Sequence, residues 1–222
     1  MQELYSVIED NDDFIAVNKH HGILSQSGKD SSPSVIEKAK EEYSGSFFHL
    51  LNRIDRPVGG LLLIAKSRYF SNQYLELQEK GAIEKRYLAL VEGVVAEPKL
   101  MLRHYLKADR RRKKAIVSEN EDKNSKKVSL SLKVLKRFDR YTALEIYLAG
   151  GKFHQIRAQL GYWGHPIRGD VKYGARRGHR DKSIDLHAYQ LSWTAQKGDA
   201  VNLMAPPLKS DTLWNILKEL LK

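Results

Sequence analysis

The sequence lacks cysteine, long apolar runs and internal repeats, and each absence excludes a class of protein. Without cysteine, the 222-residue chain cannot form disulfides or thiolate metal sites. No stretch approaches the roughly 18 consecutive apolar residues of a membrane span, and the acidic N-terminus does not resemble a secretory signal. No repeat of roughly 20 to 50 residues is present, which excludes solenoids. We therefore expect a soluble, cytoplasmic protein.

Motifs of several common enzyme classes are also missing. The eight histidines form no H-E-x-x-H pattern, and His20 and His21 have no carboxylates nearby at metal-ligand spacing. The chain contains no G-x-x-x-x-G-K-[ST], G-x-G-x-x-G or G-x-S-x-G pattern. These absences disfavour a zinc enzyme, nucleotide hydrolysis, dinucleotide redox chemistry and α/β-hydrolase chemistry.

The net charge of +11 is concentrated in two stretches. Residues 1–50 carry a net charge of −5, whereas residues 99–140 contain fifteen Lys and Arg against five Asp and Glu, or +10. Residues 150–182 add eight against two, or +6. Local positive charge favours a polyanionic partner such as a nucleic acid, because binding releases condensed counterions. Solvated lysine-rich loops are the alternative reading.

The chain has more strand patterns than helix patterns. Apolar alternation predicts ten strands, at 5–9, 14–18, 61–65, 86–92, 100–106, 115–118, 128–136, 142–148, 186–193 and 201–204. Helical periodicity predicts four helices, at 34–43, 67–80, 153–162 and 211–221. Gly81 is the expected stop of the second helix and Ser210 the expected N-cap of the fourth. The order predicts an α+β protein in which one mixed, largely antiparallel sheet runs through two lobes with flanking helices and a cleft between them.

Two segments combine shape with reactive side chains. Asp55 precedes a Pro-Val-Gly-Gly turn and a buried apolar run. This context favours a functional aspartate in a defined conformation over an aspartate in an ordinary surface turn. In the third helix, Phe153, Ile156 and Leu160 predict a buried stripe, and His154 and Arg157 share the adjacent face. The glycine pair before this helix predicts free backbone N–H groups for a phosphate or carboxylate.

Two further segments are suggestive rather than specific. Tyr87 follows Lys85 and Arg86 in a strand, where its ring could stack a nucleobase, although strands favour tyrosine in any case. Residues 164–174 are dense in turn formers and predict an ordered loop.

Taken together, these segments resemble the RluA family of pseudouridine synthases, which isomerise uridine to pseudouridine in ribosomal and transfer RNA. The family loop usually reads H-R-L-D-x-x-T-S-G-L-L-L-x-A-K, and residues 52–66 read N-R-I-D-R-P-V-G-G-L-L-L-I-A-K. The likeness continues, in order, through F-I-A-V-N-K, E-K-R-Y, G-K-F-H-Q-I-R-A-Q-L, G-H-P-I-R-G-D-V-K-Y-G and L-H-A-Y-Q-L. Asn52 departs from the usual histidine, Val58-Gly59 from Thr-Ser, and His20-His21 from a common Lys-Pro-x-Gly segment.

The resemblance implies a role for four residues. Asp55 is expected to be the catalytic aspartate, Tyr87 the tyrosine that stacks on the uracil, and Arg157 the partner of Asp55. Arg53 is expected to help displace the target base. One carboxylate beneath the sugar suffices as nucleophile or base, so no metal and no cofactor is implied.

The predicted RNA-binding residues combine these motifs with the basic segments. They are Arg53, Arg56, Lys85, Arg86, Arg110, Arg111, Arg112, Lys113, Lys152, His154, Gln155, Lys172, Arg176 and Arg177. The resemblance implies a single pseudouridine synthase domain over residues 1–222, acting on rRNA or tRNA as a monomer. Because the family motifs begin near Phe14, we expect no separate N-terminal S4-type RNA-binding domain.

Two other functions are compatible with parts of the sequence. A noncatalytic RNA-binding or RNA-chaperone protein would need the basic segments but not Asp55, Tyr87 and Arg157 together. A glycoside hydrolase would need a second carboxylate roughly 5 to 9.5 Å from the first. Glu84 and Asp170 are interpreted instead as a strand-edge residue and a turn residue.

Overall fold

The fold is built on one 11-stranded sheet. The computed structural model describes residues 3–28, 32–148, 150–195 and 198–221. Its strands are β1 Tyr5–Asp10, β2 Phe14–Lys19, β3 His49–Leu50, β4 Gly59–Ala65, β5 Glu84–Glu92, β6 Lys99–Asp109, β7 Lys114–Ser118, β8 Lys126–Arg137, β9 Tyr141–Leu148, β10 Leu186–Thr194 and β11 Ala200–Met204. All ten predicted strands are present, and β3, which is too short for a periodic signal, was not predicted.

The strand order confirms the α+β prediction. Along the main path the order is β1-β2-β4-β10-β5-β9-β8-β6-β7, with β3 paired to β4 and β11 paired to β10. Only β4 and β10 pair in parallel among the described strands, and the others are antiparallel. The parallel pair brings the start of β4, directly after the Asp55 loop, beside residues 187–188 of β10.

Side-chain alternation along the central strands gives the sheet two apolar faces. In β4, Leu62 and Ile64 contribute to one core, whereas Leu61 and Leu63 contribute to another on the opposite face. Helices α1 Val35–Glu42 and α3 Gln155–Tyr162 cover the first face. Helices α2 Arg68–Glu79 and α4 Thr212–Leu220 cover the second. A short 3₁₀ helix spans Val171–Tyr173.

The four helices lie where periodicity predicts them, with one cap reassigned. Gly81 has φ +69° directly after the last turn of α2, as expected for a helix stop. The predicted N-cap Ser210 is wrong, because Asp211 caps α4. Its Oδ1 accepts from the backbone N–H groups of Leu213 and Trp214, both at 3.1 Å. Within the described part of the chain, no helix has both the length and the apolar character needed to cross a membrane.

Candidate active site

The loop that carries Asp55 joins β3 to β4, and Asn52 fastens it to β4. The Asn52 amide nitrogen donates to the Leu61 carbonyl oxygen (2.9 Å), and its carbonyl oxygen accepts from the Leu63 N–H (2.8 Å). Both atoms of the amide group therefore pair with the backbone of a buried strand. A histidine at this position could not reproduce both bonds with one ring orientation.

Lys19, at the end of β2, is hydrogen-bonded to the same loop. Its side chain is completely buried, and Nζ donates to three backbone carbonyl oxygens, those of His20, Ile23 and Arg56, at 2.9, 2.8 and 3.4 Å. Burial lowers the pKa of Lys19 to about 7, and the charge of Asp55 opposes that shift. The Lys19 amino group thus joins residues 20–23 to Arg56, the residue that follows Asp55.

Two glycines let the loop pass close to its neighbours. A Cβ atom at Gly60, where φ is +118°, would lie 2.3 Å from the Ala188 carbonyl oxygen. A Cβ atom at Gly59 would lie 2.7 Å from Cε1 of His21. The His21 imidazole therefore occupies the space that a side chain at position 59 would need.

Arg157 links two carboxylates at the centre of the site. Its Nη1 donates to Asp55 Oδ2 at 2.8 Å, while Nε and Nη2 donate to Asp170 Oδ2 and Oδ1 at 2.7 and 2.9 Å. Burial by itself disfavours the guanidinium charge, but the hydrogen bonds and charges of Asp170 and Asp55 raise the pKa of Arg157 above its ordinary value. Asp170 is buried, whereas the Asp55 side chain is 25% exposed. Asp170 therefore fixes the arginine, and Asp55 is the carboxylate accessible to a ligand.

His154 contacts Asp55 from the other side. Its Nε2 lies 3.5 Å from Asp55 Oδ2, and its Nδ1 lies 2.8 Å from the Tyr173 hydroxyl oxygen. That oxygen accepts from the Ala115 N–H at 2.7 Å, so the hydroxyl proton is free to be donated to Nδ1. Burial lowers the pKa of His154 to about 4, so the ring is neutral, and the tautomer in which Nδ1 accepts from Tyr173 places the ring proton on Nε2, facing Asp55.

A cleft of about 520 Å³ opens above these groups. Lys85 and Tyr87 line it together, because residues two apart on β5 face the same side of the sheet. Burial, followed by the charge of Asp55, raises the pKa of Tyr87 to about 12, so the phenol remains neutral. Lys85 donates to Gln78 Oε1 at 2.8 Å, and burial lowers the pKa of Lys85 to about 8.

Most of the basic residues predicted to bind RNA are exposed around this cleft or near α3. Arg53, Arg56 and Lys152 are exposed and line the cleft. Residues 110–113 form the exposed tip of the β6–β7 hairpin, and Lys172 Nζ joins this tip to the 3₁₀ helix by donating to the Lys113 carbonyl oxygen (3.2 Å). Arg176 and Arg177 are exposed beyond that helix.

Two of the predicted RNA-binding residues pair with other groups of the protein, Arg86 outside the cleft lining and Gln155 within it. Arg86 alternates with Tyr87 along β5, and its guanidinium pairs with Glu84 (2.6 Å) and Glu145 (3.6 Å) outside the cleft lining. Gln155 is buried at the start of α3, where its Oε1 accepts from the Lys152 N–H (3.1 Å) and Nε2 donates to Ser129. That Lys152 N–H is therefore not free for an anion, contrary to expectation.

Sequence reasoning also missed or misplaced three residues. The interpretation of Asp170 as a turn residue omitted its buried pairing with Arg157, and Tyr173 received no role. Both belong to the G-D-V-K-Y-G segment, whose density of polar and aromatic residues in a turn was the available signal. Phe153 does not continue the buried stripe, because it precedes the first helical turn and is 48% exposed.

This arrangement suits chemistry on a ligand that carries a planar ring. Asp55 is an accessible carboxylate with a fixed cationic partner, so it can attack an electrophilic carbon or accept a proton. Tyr87 offers a neutral aromatic ring in the same cleft, and basic side chains surround the entrance. Among the residues described, no group of three or more His, Asp or Glu could hold a metal ion.

Comparison with known proteins agrees with this chemistry. A sequence model described as RNA pseudouridylate synthase matches residues 13–162. The ribosomal large subunit pseudouridine synthase C of Salmonella typhi is 31% identical over 218 residues, covering 90% of this chain and 66% of that protein. The protein of the same name from Pasteurella multocida is 29% identical over 217 residues, covering 90% of this chain and 64% of its own length.

A solved structure shows the same fold. The human RNA pseudouridylate synthase domain containing 1 superposes with a TM-score of 0.78 at 21% identity, covering 97% of this chain and 94% of that chain. The chain spans slightly less than two thirds of the length of the two curated relatives described above.

Proposed function

This chain belongs to the RNA pseudouridylate synthase family, and we propose that it isomerises specific uridines in RNA to pseudouridine. Its membership agrees with the resemblance to the RluA family. The observation that carries the proposal is the convergence of Asp55, Tyr87 and Arg157 in one basic cleft. The names of the curated relatives direct the first test to large-subunit ribosomal RNA, with transfer RNA as the alternative.

The proposed reaction breaks the bond between N1 and C1′ of the uridine and joins C5 to C1′. N1 gains a proton and C5 loses one, so the product is an isomer and no co-reactant is consumed. Asp55 supports either of two routes: attack of its carboxylate on C1′, or removal of a sugar proton to give a glycal-like intermediate. Both routes require the carboxylate beneath the ribose, where the Arg157 guanidinium limits its orientation.

Other side chains in the cleft have separable roles. Tyr87 stacks on the uracil, because a neutral aromatic ring binds a base without a specific hydrogen bond. Arg53, exposed at the mouth, helps to displace the target base from the RNA stack. Extrusion of a base costs a few kcal/mol, which phosphate contacts from the basic segments and stacking in the cleft offset.

We also propose that one chain is sufficient for this activity. A single sheet supports the whole cleft, which supports a single catalytic domain, and we propose that it acts as a monomer. A ribosomal RNA substrate is consistent with a cytoplasmic location.

The variant Asp55→Asn tests the proposal. It keeps the size of the side chain and one acceptor oxygen but removes the nucleophilic and basic carboxylate, so we expect RNA binding without product. Unmodified ribosomal RNA is incubated with wild-type and variant protein, and pseudouridine is measured by mass spectrometry of the digested nucleosides. The same substitution at the exposed Asp122 is the matched control and should leave turnover unchanged.

Two results would contradict the proposal. Normal turnover by Asp55→Asn would remove this residue from the mechanism. RNA binding by the wild-type chain, with no pseudouridine in ribosomal or transfer RNA, would instead support the noncatalytic RNA-binding function.

A further inference from the structure

Phe153 is an exposed aromatic residue in the cleft that has no role in the chemistry described above. It lines the cleft with its neighbours Lys152 and His154, and its side chain is 48% exposed. Burial of this ring would favour folding, so its exposure gives no stability to the free protein. An apolar ring surrounded by charged groups at a cleft marks a candidate contact for a ligand.

The Phe153 ring is held by its stack on His154. The ring centroids are 3.8 Å apart and the planes are inclined by 19°. His154 has φ 55°, in the left-handed region that non-glycine residues adopt at a cost, often at functional sites. The contacts of His154 with Tyr173 and Asp55 hold its imidazole in place. The imidazole therefore covers one face of the Phe153 ring and leaves the opposite face available.

We propose that Phe153 stacks a nucleobase of the RNA beside the target uridine, and that the substrate is therefore unpaired at that neighbouring position. This inference rests on the proposed function. Phe153 contacts the face of the His154 imidazole, whereas the imidazole Nε2 is the atom that approaches the Asp55 carboxylate, so we assign Phe153 to a base adjacent to the uracil undergoing reaction. A base within an A-form duplex is stacked on both faces by its neighbours, whereas loops and single strands can offer a free face.

The charges near Phe153 favour a nucleic acid over an apolar protein partner. Lys152 and Arg53 are exposed and line the same cleft, where they can contact phosphates on either side of the stacked base. Alternation of aromatic rings with cationic groups along a groove is the usual architecture of single-strand binding. The contact tolerates any base, since every base has a π-face, so Phe153 selects for single-stranded structure and not for sequence.

The test compares RNA binding by three variants at this position. The probes are a fluorescein-labelled single-stranded oligouridylate and a labelled RNA duplex of the same length, followed by fluorescence anisotropy. Loss of one base–aromatic stack predicts that Phe153→Ala and Phe153→Leu weaken single-strand binding by about 5- to 150-fold. Phe153→Tyr should retain the affinity, and duplex binding should be unchanged in all three. Tyr69→Ala, which removes an exposed aromatic outside the cleft lining, is the matched control and should have no effect.

Two outcomes would overturn the inference. One is unchanged single-strand binding by Phe153→Ala. The other is an equal loss for strand and duplex, which would indicate a structural role for the ring. Failure of the proposed function is a separate result, because it is read from the absence of pseudouridine with wild-type protein and not from these affinities.

Discussion

The buried pair of Arg157 and Asp170 allows a quantitative prediction for the variant Asp170→Asn. Asp170 is 2% exposed and accepts two hydrogen bonds from the guanidinium, at 2.7 and 2.9 Å. The substitution preserves the size of the side chain but replaces one charged acceptor by an amide NH₂, which faces an N–H donor. Arg157, itself buried, would keep only Asp55 as a counter-charge.

The expected cost follows from the burial of both partners. Removing one member of a buried ion pair typically costs about 3–5 kcal/mol, because the remaining charge is left desolvated. Since the amide retains one acceptor and Arg157 retains Asp55, we expect a loss of about 2–4 kcal/mol in the free energy of unfolding. A domain with a stability of about 5–15 kcal/mol should remain folded after this loss.

Urea denaturation followed by tryptophan fluorescence measures this loss, because the chain contains three tryptophans. The matched control is Asp122→Asn. This substitution removes the same charge from an exposed pair with Lys107, and it should cost little because solvent screens the pair. Turnover should also fall in Asp170→Asn, in protein that is still folded, because Arg157 loses the bidentate contact that orients it toward Asp55. Equal unfolding free energies for the two variants would refute the reasoning.

Two further predictions concern Lys85 and the His21–Gly59 contact. Because the pKa of Lys85 is lowered to about 8, the residue loses its positive charge as pH rises from 7 to 9, and RNA affinity should fall over this range. The stability of the fold should change in the opposite direction. Above pH 8 the unfolded state still holds the proton that the folded state has lost, so raising the pH favours the folded state. Lys85→Arg should abolish that pH dependence of binding, and equal pH profiles for the two proteins would contradict the assignment. Gly59→Ser should destabilise by about 1–3 kcal/mol through overlap with the His21 ring, and adding His21→Ala should recover part of this loss in urea denaturation. Additive losses in the double variant would show that the two positions are independent.

Local physics explains why the sequence predicted the secondary structure well. Period-2 alternation and glycine stops act within a few residues, so all ten predicted strands and the four helices lie where the patterns place them. The same alternation puts Arg86 and Tyr87 on opposite faces of β5, so Arg86 lies outside the cleft lining. The N-cap of α4 was assigned one residue early because Ser210 and Asp211 are both good caps, and only backbone geometry decides between them.

The sequence by itself determined the strands, the helices and, through the order of its motifs, the family. Tertiary structure decided which residues meet. Asp55 and Arg157 are 102 positions apart, and the parallel pairing of β4 with β10 and the packing of α3 on the sheet bring them into contact. Tertiary packing likewise decided the role of Asp170 and the exposure of Phe153. Asp170 is buried beside Arg157, where a charge needs a fixed partner. Phe153 is left uncovered by the surrounding chain, so its ring remains partly exposed to solvent.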